Sequence, residues 1–429
     1  MGKVNDYISK MLKYIKNEIG ENKEKPWIKY YTRTPESLNY YQGSMYDYVK
    51  ESAIKNEKRT AYTYYGLGVS YRGFLRRVDR IAAALTQFNI VENECVTICM
   101  PNTPESIALI YAINKIGAIA NIIHPLSSTK DIKRALDETN SGVLFCSDSS
   151  MQNARDIKVK HFILVPNSTS LIKFKKMIYN IKESVNLKLG KNMISWSDFI
   201  SYKTLDDPYK KRKANDPAAI IYSGGTTGKP KGIILSNLNF NAMALQTMNV
   251  CDGLNPGSSV LAALPIFHVF GLALCIHTTL VCGMTAILVP KINTKKINSE
   301  LKKYKPNIYP AVPSLLTMSL KGVDPGSTGL KDIKTVVVGG DYLSPQTKAE
   351  FEKFLKDHGS NGVVKVGYGL SEASGFCCST APIEEKYVQN GTLGVPNPDI
   401  LVKAFEPNSD IEKSYNDVAW LKTADVREE

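Results

Sequence analysis

The residues best suited to chemistry lie in one flexible segment between two apolar runs. Residues 220–236 read IIYSGGTTGKPKGIILS, and nine small, hydroxyl-bearing or basic residues stand at their centre. Those nine are Ser223, Gly224, Gly225, Thr226, Thr227, Gly228, Lys229, Pro230 and Lys231. Glycines adopt positive φ easily and can turn several backbone N–H groups toward one anion. Hydroxyls and lysines would be superfluous in a plain glycine-rich turn, so their presence indicates a loop that holds phosphate groups.

This segment differs from the phosphate-binding loop of P-loop NTPases, G-x-x-x-x-G-K-[ST]. With Gly228–Lys229 as the GK pair, Ser223 stands where the first glycine belongs. Pro230 stands where the magnesium-binding hydroxyl belongs. The residues that follow, GIILS, predict a strand, so a phosphate held here would not meet a helix N-terminus.

Five segments that occur in this order resemble the motifs of adenylate-forming enzymes, the superfamily of acyl-CoA synthetases, nonribosomal-peptide adenylation domains and luciferases. They are YSGGTTGKPKG, LPIFHVFGL at 264–272, VVVGGDYLS at 336–344, GYGLSEAS at 367–374 and GTLGVPNP. Two departures from the family pattern are Gly224, which replaces a hydroxyl residue, and Ser371, which replaces a threonine.

The resemblance implies attack of a carboxylate on the α-phosphate of ATP, which yields an acyl-adenylate and pyrophosphate. Because two anions must meet, charge neutralisation and positioning dominate such a barrier. The resemblance makes Thr226, Lys231, His268 and Glu372 the catalytic residues. Thr226 and Lys231 would contact the β- and γ-phosphates, and Glu372 would hold Mg²⁺, which prefers oxygen ligands.

The same resemblance implies the residues that bind ATP and the acid. Ser371 would donate a hydroxyl to the α-phosphate, and adenine would lie between Tyr368 and a wall formed by Gly339, Gly340 and Asp341. The implied ATP-binding set is Ser223, Gly224, Gly225, Thr226, Thr227, Gly228, Lys231, Gly339, Gly340, Asp341, Gly367, Tyr368, Gly369, Ser371 and Asp425. The implied acid pocket comprises His268, Val269 and Gly271. Other interpretations are a core position for Tyr368 and a loop-capping role for Asp341. His277 carries no functional signal, so we expect it to be structural.

The C-terminal end matches the family less well. WLKTADVREE, at 420–429, resembles W-x-x-T-G-D, whose aspartate binds both ribose hydroxyls, and Asp425 matches that aspartate. Ala424 replaces the glycine, at a cost of about 1 kcal/mol if φ is positive there. The connection between Pro396 and Trp420 is shorter than is usual in the family. We expect the family's lysine-bearing C-terminal domain to be missing after Glu429, and the isolated chain to adenylate slowly.

The acid is expected to carry an uncharged tail. No acidic residue lies between Leu264 and Leu280, and a buried ammonium without a partner would be costly. We therefore expect a fatty acid that is transferred to CoA, although an aryl acid would also fit. Two alternatives stay open: a peptide-synthetase-type adenylation module that loads a carrier protein, and a non-catalytic nucleotide-binding remnant.

Strands and helices that alternate along the chain would position these motifs. Nine runs predict strands: ECVTICM, GVLFCS, HFILVP, AAIIYS, SVLAALP, TAILVP, NIYPAVP, TVVVGG and VVKVGYG. Helical patterns between them predict an α/β fold of stacked, largely parallel sheets covered by helices. The resemblance adds a small β subdomain and the absence of the small C-terminal domain. We expect an amphipathic helix at 1–25 and one large domain at 26–429, with a surface linker and helix at 167–215.

The composition limits the kinds of partner and compartment that we expect for this protein. The formal charge of +13 comes mostly from dispersed lysines, which indicates a solvated surface and no nucleic-acid partner, while favouring an anionic substrate. The N-terminal helix could contact a membrane surface weakly or dock on the domain. Eight scattered cysteines without metal-ligand spacing, and the lack of an apolar leader, predict buried thiols in a cytoplasmic protein. The oligomeric state is left open.

Overall fold

Two largely parallel β-sheets form the framework of the molecule. The computed structural model describes residues 25–182, 190, 192–202, 207–224, 230–251, 253–384, 386, 388 and 391–402. Strands in chain order are β1 (Thr60–Tyr64), β2 (Leu67–Ser70), β3 (Cys95–Cys99), β4 (Ile119–Ile122), β5 (Val143–Ser147), β6 (His161–Val165), β7 (Met193–Ser195), β8 (Pro217–Ser223), β9 (Lys231–Ser236), β10 (Ser259–Ala262), β11 (Thr285–Leu288), β12 (Ile308–Ala311), β13 (Thr335–Val338), β14 (Val363–Leu370), β15 (Gly375–Ser379) and β16 (Val395–Pro396).

Helices fill the connections between these strands. In chain order they are α1 (Met45–Lys55), α2 (Tyr71–Gln87), α3 (Pro104–Lys115), α4 (Thr129–Glu138), α5 (Met151–Ala154), α6 (Lys173–Lys182), α7 (Trp196–Phe199), α8 (Asn237–Val250), a π-helix (Phe270–Thr278) that runs into α9 (Thr279–Val281), α10 (Ile297–Tyr304), α11 (Pro313–Leu320) and α12 (Pro345–Asp357). Short 3₁₀ turns lie at Ile28–Tyr30, Asp148–Ser150, Thr294–Lys296 and Ser371–Ala373. Within the described residues, none of the helices combines the length and the apolar character needed to cross a bilayer.

The sheets have the predicted, mainly parallel character. The nine-stranded sheet has the order β16-β15-β14-β13-β12-β10-β11-β1-β2, and the seven-stranded sheet has the order β7-β6-β5-β3-β4-β8-β9. Antiparallel pairs occur only toward the sheet edges among the described strands, at β1–β2, β8–β9, β14–β15 and β15–β16. The predicted α/β class is confirmed, and all nine predicted strand runs are strands. No third sheet occurs within the described residues, because β15 and β16 continue the nine-stranded sheet.

Several predicted helix signals are present. Phe74, Val78, Ile81 and Leu85 are buried on one side of α2, as their spacing predicts. The Ser344 hydroxyl accepts a hydrogen bond from the Thr347 N–H at the start of α12. Gly117 (φ +77°) and Gly359 (φ +85°) follow the ends of α3 and α12 with the positive φ expected of a C-terminal cap.

The seven-stranded sheet is inserted into the chain that builds the other sheet. Residues 60–70 and 259–396 supply the nine-stranded sheet, and residues 95–236 supply the seven-stranded one. One hydrophobic core includes apolar residues of both sheets, such as Ile98 of β3 and Val336 of β13. All residues of α3 are buried, so this helix lies inside the molecule rather than on its surface.

The expectation of a surface linker and helix at 167–215 is incomplete. This stretch contains α6, but it also contains β7, which pairs with β6 at the edge of the seven-stranded sheet. Trp196 and Phe199 of α7 are buried in the core. The surrounding residues are mostly polar, so no clear strand or helix pattern marks β7 and α7 in the sequence. An amphipathic helix was predicted at 1–25. Residues 1–24 lie outside the described residues, so this prediction stays a prediction.

The cysteines and His277 fit their predicted structural roles. All eight cysteines are free thiols, and seven of them are buried. His277 is fully buried, with Nδ1 3.0 Å from the Tyr111 hydroxyl and Nε2 3.0 Å from Oδ1 of Asn241. Burial lowers the pKa of His277 to about 3, so the ring is neutral at neutral pH.

Candidate active site

A cavity of about 330 Å³ opens at the carboxyl ends of β10, β12, β13 and β14. Ligands of parallel sheets commonly bind at this edge, where loops of different strands meet. The lining residues are Leu264, Pro265, His268, Val269, Phe270, Gly271, Val312, Val337, Val338, Gly339, Gly340, Gly367, Gly369, Leu370, Ser371, Gly375 and Phe376.

Eight of the predicted site residues lie together around this cavity. They are His268, Val269, Gly271, Gly339, Gly340, Gly367, Gly369 and Ser371. They come from three motifs that are far apart in the sequence. The fold therefore gathers one side of the predicted site around a single space.

The segment 264–271 folds tightly against itself at one wall of the cavity. The His268 N–H donates to the Pro265 carbonyl at 3.1 Å, and the π-helix begins two residues later. A Cβ on Gly271 would lie 2.0 Å from that Pro265 oxygen, so only glycine fits at this position. Wide helical turns of this kind often occur at functional sites.

Two histidines lie near each other beside this wall. The Phe267 ring centroid is 4.2 Å from that of His124 and 4.7 Å from that of His268. Burial of the ring lowers the pKa of His268, and the positive charge of a protonated His124 lowers it further. Burial also lowers the pKa of His124, and its Nδ1 accepts the Leu126 N–H at 2.9 Å. Both rings are therefore neutral near pH 7, and the proton of His124 lies on Nε2.

The turn that contains Glu372 lies beside the two strands that flank the predicted phosphate loop. Glu372 is exposed in the 3₁₀ turn Ser371–Ala373, and Ser374 follows with φ +64°. Cα atoms of this turn approach within 8 Å of Cα atoms in both β8 and β9. Since β8 and β9 are the two arms of the hairpin, the turn that carries Glu372 packs against the hairpin that carries Lys231.

The arms of the hairpin are described, but the centre of its loop is not. Ser223 at the end of β8 pairs with Lys231 at the start of β9 in antiparallel register. Lys231 is exposed. GIILS forms the predicted strand, so the departure from the P-loop pattern is confirmed. Five residues with predicted roles lie outside the described residues: Gly225, Thr226, Thr227, Gly228 and Asp425. Ala424 lies outside them too.

Only some of the residues predicted to enclose adenine line the cavity. Gly339 and Gly340 line the cavity, and Gly340 has φ +83°, which favours glycine. Asp341 is exposed, and its carboxylate accepts the Tyr342 N–H at 2.7 Å, which is the loop-capping arrangement. Tyr368 is half-buried but does not line the cavity, because it alternates with Gly367 and Gly369 along β14. Tyr368 stands opposite Cys378 of β15.

Sequence reasoning missed some residues of the site. They are Val312 of the lining and His124 beside it. Six further lining residues lie within or directly after the motif segments but were given no role of their own: Phe270, Val337, Val338, Leu370, Gly375 and Phe376. Val312 follows directly after a predicted strand, so its place at the sheet edge could have been inferred. His124 carried no local signal, since only the tertiary fold brings it here.

Among the described residues, none that line the cavity is Asp, Glu, Lys or Arg. Apolar side chains and glycine backbone form most of it, with polar groups from His268 and Ser371. Among the described residues, no three or more His, Cys, Asp or Glu side chains form a metal-binding group. The site can thus receive an uncharged organic group beside an edge where anions would meet Lys231.

Comparison with known proteins gives a consistent result. The family of AMP-binding enzymes matches residues 49–412. A long-chain-fatty-acid–CoA ligase from Bacillus subtilis is 25% identical over 371 residues, which cover 82% of this chain and 64% of that protein. A probable CoA ligase from Humulus lupulus is 24% identical over 363 residues, which cover 83% of this chain and 62% of that protein. The chain therefore spans less than two thirds of the length of these relatives.

Solved structures share the fold. A long-chain-fatty-acid–CoA ligase from Archaeoglobus fulgidus superposes with a TM-score of 0.75 at 20% identity, over 90% of this chain and 75% of that one. An anthranilate CoA ligase in complex with anthranoyl-AMP superposes with a TM-score of 0.76 at 18% identity, over 88% of this chain and 68% of that one.

Proposed function

Because this chain belongs to the family of AMP-binding enzymes, we propose that it activates a carboxylic acid with ATP and passes the acyl group to CoA. One observation carries the proposal. Residues of three distant motifs surround one cavity, and the hairpin with Lys231 lies beside the turn with Glu372 at its edge. A single nucleotide could bridge these two features.

The first step joins the acid to AMP. A carboxylate oxygen bonds to the α-phosphorus of ATP, the bond from that phosphorus to the bridging oxygen breaks, and pyrophosphate leaves. No proton moves. The chain must hold two anions together, so Lys231, Ser371 and the hydroxyls of Thr226 and Thr227 would offset their repulsion. The second step is attack of the CoA thiol on the adenylate carbonyl, with release of AMP and of the thiol proton.

Glu372 suits a magnesium ion that accompanies ATP. Its carboxylate is exposed and has no competing ion pair among the described contacts. Mg²⁺ commonly takes one or two carboxylates, with waters and phosphate oxygens as its other ligands. When bound, the ion would draw negative charge from the phosphates. Glu372 would keep it on the side where pyrophosphate leaves.

The cavity favours an acid with an apolar tail. Val269, Phe270 and Val312 present apolar surface, and none of the lining residues that the structure describes carries a charge that could pair with a substrate ammonium. The neutral imidazole of His268 can donate a hydrogen bond to the carboxylate without fixing it as an ion pair. We propose a fatty acid as the substrate, supported by the similarity to ligases of long-chain fatty acids. The free thiols suggest a reducing compartment such as the cytoplasm.

A pyrophosphate-release assay with a panel of acids tests the proposal. The panel should contain short, medium and long fatty acids, aryl acids and amino acids, and mass spectrometry should identify the acyl-adenylate. We expect the fatty acids to be activated, and Lys231→Met to weaken ATP binding, while Lys291→Met, an exposed lysine elsewhere, has no effect. Activation of amino acids alone would instead indicate a peptide-synthetase-type module. ATP binding without any adenylate would indicate a non-catalytic protein.

A further inference from the structure

Helix α6 presents an unusual concentration of exposed apolar side chains. Phe174, Met177, Ile178 and Ile181, together called the apolar face of α6, are 65%, 54%, 47% and 73% exposed. Ile172, directly before the helix, is 53% exposed. Single exposed apolar residues are common on protein surfaces, but contiguous patches mark sites of interaction.

These four side chains occupy one side of the helix. At about 100° per residue, positions 174, 177, 178 and 181 fall within an arc of about 100°. The opposite side attaches α6 to the protein. Lys175 Nζ donates to the Tyr65 carbonyl at 2.7 Å, and the Tyr179 ring lies 6.1 Å from the Tyr65 ring. The apolar face therefore points away from the side that holds the helix.

The charge of α6 is entirely positive. Its sequence, KFKKMIYNIK, contains four lysines and no acidic residue. Lys173 and Lys176 are exposed, and they line a shallow surface groove with Met177, Asn180 and Ile181. Lysine stems can lie along apolar surface while their ammonium groups reach outward. By the same rotation Lys173 borders the apolar face, and Lys176 lies farther round the helix, from where its long side chain can reach outward. An apolar stripe with lysines beside it is the pattern of helices that lie in the interface of an anionic membrane.

We propose that α6 docks this protein on an anionic lipid bilayer. The apolar face enters the boundary between headgroups and acyl chains, and Lys173 and Lys176 contact the anionic headgroups. The helix lies parallel to the membrane plane, because its other side stays attached at Tyr65. A protein partner is the less favoured occupant, since the patch is one helix surface without a deep pocket and its charges would require an acidic rim.

Vesicle sedimentation of the whole chain tests this docking without any need for activity. We expect binding to vesicles that contain about one third phosphatidylglycerol, little binding to pure phosphatidylcholine, and release at about 0.5 M salt. The double variant Phe174→Ser/Ile181→Ser should reduce binding at least about tenfold. Lys173→Glu/Lys176→Glu should remove the preference for anionic lipid.

Matched substitutions control for the loss of exposed apolar side chains. Ile54 and Val323 are 65% and 64% exposed elsewhere, so Ile54→Ser/Val323→Ser should bind vesicles as the parent does. Ile8→Ser/Ile15→Ser removes apolar residues from the expected N-terminal helix. If that variant loses binding while the α6 variant keeps it, the proposal is wrong.

A second readout reports insertion directly. Phe174→Trp should show a blue shift of tryptophan emission on anionic vesicles, relative to the same change at Ile54. An unchanged spectrum, with the protein bound, would overturn the proposal. So would a concentration-dependent dimer that the Phe174→Ser/Ile181→Ser change abolishes, because a second copy of the chain would then occupy the face.

Discussion

Two histidines of this chain show how the same residue type serves opposite purposes. His277 is enclosed, with both ring nitrogens within hydrogen-bond distance of buried side chains. His268 lines the cavity and has no hydrogen bond from its ring in the described structure, so its ring nitrogens are available to a ligand. The LPxxH pattern indicated the second role, and nothing in the sequence indicated the partners of the first.

His277 should make stability depend on pH. Its pKa falls from 6.5 in the unfolded chain to about 3 in the folded protein, so the unfolded state takes up the proton first. The neutral ring contributes fully above pH 6.5, and its contribution declines by up to about 1.4 kcal/mol per pH unit as the pH falls toward 3. Urea unfolding at several pH values should show this slope, and His277→Gln should flatten it.

The His277→Gln change also carries a cost at pH 7. Loss of well-formed buried hydrogen bonds should lower the free energy of unfolding by about 1–3 kcal/mol. Equal pH slopes in the variant and the parent would show that His277 does not titrate during unfolding.

Glu372 should matter for chemistry and not for folding. Its side chain is exposed, so Glu372→Gln should leave the unfolding midpoint unchanged. If it holds the metal beside the phosphates, pyrophosphate release should fall by about a hundredfold or more, because a neutral amide binds Mg²⁺ poorly. The control is Glu36→Gln, an exposed glutamate elsewhere. Equal activity of both variants would remove Glu372 from the proposed site.

Among the elements, the wall that the π-helix forms depends on Gly271, because a side chain at this position would not fit. Gly271→Ala would place a Cβ 2.0 Å from the Pro265 oxygen, whereas a Cβ on Gly224 would meet nothing within 4 Å. Alanine in a helix usually gains about 0.5–1 kcal/mol over glycine, but overpacking costs about 1–3 kcal/mol or more. We expect the overpacking to dominate at Gly271.

Urea unfolding and acid-dependent kinetics measure this difference. Gly271→Ala should be less stable than the parent and should raise KM for the acid, since the wall must shift. Gly224→Ala should stay within about 0.5 kcal/mol of the parent in stability. A stable Gly271→Ala protein with unchanged KM would mean that the wall adapts at no cost.

The elements also show what the sequence could predict. Apolar runs such as TVVVGG identify buried parallel strands because both faces of the sheet are covered. β1 and β2 were missed, since TAYTYYGLGVS mixes tyrosine, threonine and glycine without a clear period. Similarly, β7 lies in a polar stretch. The motif segments contain 14 of the 17 residues that line the cavity, and Gly375 and Phe376 directly follow one of them. Val312, and His124 beside the wall, reach the site through long-range contacts that the motifs do not encode.

For the whole molecule, the net charge should affect substrate binding. A protein with a formal charge of +13 attracts ATP from a distance, and salt screens that attraction over about 10 Å at 0.1 M. We expect KM for ATP to rise severalfold between about 0.02 M and about 0.3 M KCl, with a smaller rise for the singly charged acid. A KM for ATP that does not change with the salt concentration would indicate that only local contacts determine ATP binding.

The order in which the chain is made gives the inserted sheet a further consequence. β1 lies next to β11, although more than two hundred residues separate them in sequence. A ribosome adding about 5–20 residues per second needs roughly ten to forty seconds to supply that neighbour. Throughout that interval the edge of β1 that later pairs with β11 is unpaired. An unpaired strand edge can pair with a strand of another chain. We expect this edge to stay open to such pairing until β11 has been made.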